Sequence, residues 1–169
     1  MNAIGAYRAV ATYRHWAGDR EGTLAWAERA IALADEHGLA EYGAMAMIEK
    51  GYAIGDLSMQ RQGFAVLHAA GYRAETPTHR LGMAETLIDQ GRWDEAREEI
   101  ALALATTEAT GEVRHLSEIH RVGAQCLRAA GQLDGATAAL HTAIDVARRQ
   151  QSQPLEQRAR ADLDALSQR

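Results

Sequence analysis

Small and apolar residues recur along this chain at fixed intervals, broken at regular points by a turn residue. From Ala84 the sequence runs to Gly91, then Ala96, Ile100 and Ala103. From Ala124 it runs to Gly131, Ala136, Leu140 and Ala143, with the same spacings and an offset of 40. A third copy starts at Ala11 with Gly18, Thr23, Ala27 and Ala30. A fourth starts at Gly51 with Ser58, Gly63, Leu67 and Ala70, which puts the turn residues at 18, 58, 91 and 131. Each position has a physical reason. A small residue midway along a helix lets a second helix cross closely. Glycine ends a helix in the left-handed region without a steric cost. A residue four positions on lies one turn further along the same face. The pattern therefore predicts pairs of antiparallel helices, with the last alanine of each copy meeting the next pair.

The intervals and punctuation predict nine helices near 2–17, 20–37, 40–56, 59–75, 77–90, 93–110, 113–130, 133–150 and 153–167. Gly38, Gly91, Gly111 and Gly131 stand where helices should stop. Thr76-Pro77 and Gln153-Pro154 read as N-cap followed by first helical residue, where proline loses no hydrogen bond, and Ser152 is an alternative cap. Asp94 and Asp134 fall where a helix start favours negative charge. β-Branched runs and Asn-Gly hairpin turns are absent, which argues against a sheet. The expected class is all-α, a single helix-pair domain over 1–169 with repeats at about 2–38, 39–75, 77–111 and 112–151. The polar last helix, about 153–167, is expected to cap the stack, since a repeat array needs a wet outer face at its end.

The spacing resembles the tetratricopeptide repeat, which pairs small residues with a glycine turn. The copy Ala84-Glu85-Thr86-Leu87-Ile88-Asp89-Gln90-Gly91-Arg92-Trp93-Asp94-Glu95-Ala96 carries the resemblance best, followed by Gly131-Gln132-Leu133-Asp134-Gly135-Ala136. The copies at Ala11 and Gly51 depart from it, with Thr23 and Gly63 in place of alanine and Ser58 in place of glycine. Periods of 40 suit helices about a turn longer than usual. Long-period arrays of this kind resemble the C-terminal regions of bacterial ATP-dependent transcription activators of the maltose-regulator type, and ATPase modules fused to nucleotide cyclases. Ala30-Ile31-Ala32-Leu33-Ala34-Asp35-Glu36-His37-Gly38 and Ala143-Ile144-Asp145-Val146-Ala147-Arg148-Arg149-Gln150 look like that group. The resemblance implies a regulatory or interaction role rather than chemistry.

Composition narrows the classes further. An apolar share of 47% in 169 residues is that of a globular chain, and the net charge of -5 gives no electrostatic reason to expect nucleic acid. The start Met1-Asn2-Ala3-Ile4 lacks the pattern of a signal peptide, and no apolar run is long enough to span a bilayer. The expected location is the cytoplasm, with no membrane partner. The single cysteine, Cys126, lies in an apolar helical run and reads as a packed residue rather than a nucleophile. His115 and His120 are five apart and do not share a helix face, so they do not read as metal ligands. No phosphate loop, nucleophile elbow or paired-cysteine motif occurs. The expectation is a non-enzyme without metal or cofactor.

What remains is a surface. The first helix of each pair is expected to line a concave groove, placing Arg8, Thr12 and His15 there, then Tyr52 and Asp56, then Glu85 and Asp89, then Arg121, Gln125 and Arg128, with Arg158 from the last helix. Such a mixed-charge groove suits a protein or peptide partner. An ordinary polar surface would carry the same residues. The second functional reading is a sensor holding a small molecule or peptide inside the superhelix, and self-association stays open.

Overall fold

The computed structural model describes residues 3–168. Among them it contains nine α-helices and no strand: α1 Ala3–Trp16, α2 Arg20–His37, α3 Ala40–Ile54, α4 Leu57–Ala69, α5 Thr76–Asp89, α6 Trp93–Thr110, α7 Leu116–Ala129, α8 Leu133–Arg149 and α9 Gln153–Ser167. The helices form two compact units, Met1–Ala74 and Glu75–Arg169. In the first, α1 packs on α2 and α3, α2 on α3, and α3 on α4. In the second, α5 pairs with α6, α7 with α8, and α9 lies against both α8 and α7.

The small positions do what their spacing predicts. Ala11, Ala27, Ala30, Ala84, Ala96, Ala103, Ala136 and Ala143 are all at or below 1% exposure. Helix axes therefore approach closely, and a few larger side chains (Leu67, Leu81, Leu87 and Ile119) fill what is left. Gly18, Gly38, Gly91, Gly111 and Gly131 all hold positive φ where helices end. Pro77 and Pro154 both lie in first helical turns, and position 152 is the N-cap of α9.

The second pair departs from the expected register. Its turn falls at Gly55, φ 72°, whose amide reaches the Gly51 and Tyr52 carbonyls, while Ser58 lies inside α4. The turn glycines thus stand at 18, 55, 91 and 131. Aligned this way, Gln60 occupies the small opening position held elsewhere by Thr23, Ala96 and Ala136, and it is completely buried. Gly51 across from it makes room, because a Cβ there would come within 2.7 Å of Gln60 Cγ. Gly63 is small for a related reason: its Cβ would meet the Ala44 carbonyl oxygen at 2.6 Å. Ala70, expected at an inter-pair contact, is exposed at the end of α4, and Leu67 takes the buried place.

Two helix ends also move. α4 was expected to reach residue 75, but Gly71 at φ 77° ends it, with the Tyr72 amide closing on the Leu67 carbonyl. α7 was expected from 113 and begins at Leu116. The Val113 carbonyl there accepts from both the Leu116 amide and the Gln150 side chain, so the preceding residues form a turn. α9 presses Leu163 and Leu166 onto the cluster of Ala124, Ala136 and Leu140.

Candidate functional site

Each unit places charged side chains where few survive without partners. In the first, Glu49 interrupts the apolar face of α3 and is 6% exposed. Its Oε1 accepts from the Thr12 hydroxyl at 2.8 Å, and its Oε2 lies 2.8 Å from His15 Nδ1. The His15 ring stacks on Tyr52, with centroids 3.5 Å apart, and on Trp16 at 4.7 Å. Arg20 donates to the Tyr52 carbonyl at 3.1 Å and holds its guanidinium over the Tyr52 ring. Thr12, His15 and Tyr52, all expected on the groove, are therefore brought together, but as a packed polar core joining α1, α2 and α3. Arg8 is half-buried on α1. The Asp56 carboxylate caps α4 by accepting from the Met59 amide at 3.0 Å, a structural duty.

The second centre lies on α7 and α9. Glu118 is completely buried, and Arg121, one turn on, grips it with Nε and Nη2 at 2.9 to 3.1 Å. Arg121 Nη1 donates to Asp162 of α9 at 2.9 Å, and Arg158 Nη2 lies 3.2 Å from Glu118. Burial by itself would lower the Arg121 pKa. The Glu118 and Asp162 carboxylates outweigh it and raise the pKa above the usual arginine value, so the guanidinium stays charged.

Beside this cluster opens a small pocket of about 40 Å³, lined by Arg121, Gln125 and Arg128 of α7, Leu140 of α8, and Asp162 and Leu166 of α9. It gathers the three residues expected from the fourth pair. Arg121 borders it while committed to two carboxylates. Arg128 is exposed, and among the described residues it has no ion-pair partner. Glu85 is half-buried and Asp89 exposed on α5, and neither lines this pocket.

Glu49, Glu118 and Asp162 were not singled out by the sequence. Two of them left a trace. Glu49 is the lone acid among Ala44, Met45, Ala46, Ile48 and Gly51, and Glu118 stands three residues before Arg121, the spacing of a helix ion pair. Asp162 left none, because its role depends on how α9 folds back. Cys126 is 2% exposed and its thiol pKa is pushed up by burial, in keeping with a packed residue.

No protein-family model and no curated protein matches this chain. Solved structures do. One is a Podosopora anserina protein described as having kinesin light chain nearly identical TPR-like repeats, at TM-score 0.64 and 15% identity, covering 98% of this chain and 85% of that one. A point variant of the same protein matches at TM-score 0.65 and 15% identity, covering 99% and 88%. The fold is thus that of TPR-like helix-pair repeats. Among the described residues no helix is long and apolar enough to cross a membrane.

Proposed function

We propose that this chain is a protein-interaction module that receives an acidic side chain or chain end of a protein partner at the α7–α9 pocket. The observation that carries the proposal is the pairing of pocket size with charge. A space of about 40 Å³ is little more than the ~30 Å³ share of one water, too small for a free metabolite but enough for the tip of one anchoring side chain. Arg128 at its edge offers a planar fork of donors to a carboxylate, and Arg121 behind it is held charged by Glu118 and Asp162. The resemblance of the long-period repeats to the ends of bacterial ATP-dependent regulators supports a regulatory setting for such a contact.

The test begins with a partner found by proximity labelling and reduced to a synthetic peptide. Fluorescence anisotropy then compares the wild type with Arg128→Glu. Binding should weaken at least roughly tenfold, about 1.4 kcal/mol, and should fall with added salt, while the helical circular dichroism is unchanged. Equal affinity for both proteins would refute the assignment.

A further inference from the structure

A second, larger pocket lies on a different part of the same unit, between α6, α7 and α8. Its volume is about 270 Å³. That is nearly twice the ~150 Å³ that stays dry and accepts benzene in an engineered core, and close to the lower end of natural ligand pockets at roughly 300 Å³. Ile100 and Leu104 of α6 line it together with Ile119 and Leu127 of α7, so its wall is mostly hydrocarbon. Only two lining side chains carry strongly polar heads, Arg97 and His120. Burial lowers the His120 pKa, so its imidazole is neutral at pH 7 and Arg97 supplies the positive charge. Arg97 is half-exposed, and among the described residues its one ion pair is an Nη2 contact of 3.0 Å to Asp94, which is itself 88% exposed. An exposed pair of that kind is weak, under about 1 kcal/mol, and leaves most of the guanidinium donors available.

An apolar chamber with one cation and a neutral imidazole selects for an amphipathic anion. We propose that this pocket binds a small alkyl or aryl carboxylate, the hydrocarbon part between α6 and α7 and the carboxylate on Arg97. A polar solute would leave the apolar walls unmatched, and a cationic amphiphile would meet Arg97 with like charge. This ligand is separate from the protein partner of the α7–α9 pocket, and neither proposal depends on the other.

Cys126 lines the chamber and is the only cysteine in the chain, so its thiol reports on occupancy at one site. The probe is decanoate, kept below its micellar concentration, with decyltrimethylammonium as the cationic control. The rate at which Cys126 reacts with a disulfide reagent is followed in the folded protein, and methyl resonances of Ile100, Leu104 and Ile119 are recorded in parallel. Decanoate should slow the thiol reaction roughly tenfold or more at saturation and shift those methyl signals, while decyltrimethylammonium should do neither. Ala101 lines the same pocket from an exposed position on α6. Ala101→Trp should fold normally and abolish both effects by filling the mouth, and Arg97→Gln should weaken decanoate roughly tenfold. The proposal is overturned if decanoate leaves both readouts unmoved, if Ala101→Trp is protected as well as wild type, or if the cationic control protects equally.

Discussion

His15 Nδ1 and Glu49 Oε2 lie 2.8 Å apart, both buried, with their side chains 5% and 7% exposed. The pair ties α1 to α3, and the His15 ring itself stacks on Tyr52 and on Trp16. Removing one member leaves the other desolvated without its closest partner, which costs more than the pair itself contributes.

Glu49→Ala should therefore destabilise the protein by about 1–3 kcal/mol, and Thr12→Ala by less, since it removes one neutral hydroxyl. Urea denaturation of both variants checks the order. Equal losses would mean that the His15 contact carries nothing.

The Glu118 cluster gives a sharper contrast. Glu118→Ala takes from the buried Arg121 its completely buried carboxylate partner and leaves it only the half-exposed Asp162, which should cost about 3–5 kcal/mol. Asp162→Ala removes a carboxylate with 37% of its side chain exposed, where an ion pair is worth at most about 1 kcal/mol. Thermal melts of the two variants should differ by many degrees.

Gln60 offers a gain rather than a loss. Its amide nitrogen and oxygen are both buried, and among the described residues neither has a hydrogen-bond partner. Gln60→Met keeps the length and removes the desolvated groups, so it should be neutral or stabilising by up to about 2 kcal/mol. A loss above about 1 kcal/mol would show that the amide has a partner, such as a buried water.

Gln60 also shows where the sequence stops being legible. Ala96 and Ala136 announce tight crossings because alanine at that interval has one structural use, and the glycines at 18, 91 and 131 announce turns for the same reason. The pair at 40–69 hides its register because two substitutions compensate across the interface, a large Gln60 against a missing side chain at Gly51. A single helix cannot display that exchange. The site was legible in a similar measure. Helical spacing grouped Arg121, Gln125 and Arg128 on one face, and grouped Thr12 with His15. What turns each group into a pocket or a core is a carboxylate from a helix distant in the chain, Asp162 or Glu49, and no local interval encodes that.

The His120 shift fixes a pH dependence. Burial lowers its pKa below the usual histidine value of 6.5. Between the folded pKa and 6.5 the unfolded chain binds a proton that the native state does not, so stability falls as pH drops through that window and this contribution levels off below the folded pKa, where both states are protonated. His120→Gln should flatten this slope just below the usual histidine pKa of 6.5, ahead of the carboxylates, which titrate near 4. Parallel slopes for variant and wild type in urea titrations would remove His120 as the cause.

The interaction proposal rests on a single surface, and a photo-crosslinker placed there tests it most directly. With benzoylphenylalanine at position 129, exposed beside Arg128 and outside the lining of the α7–α9 pocket, irradiation in the presence of the identified partner should give a crosslink that Arg128→Glu diminishes roughly tenfold in apparent affinity. The same group at Leu133, 54% exposed on α8 and outside the pocket lining, should give none. A crosslink from Leu133 as strong as from position 129, or one from position 129 that ignores Arg128→Glu, would place the partner elsewhere and contradict the account.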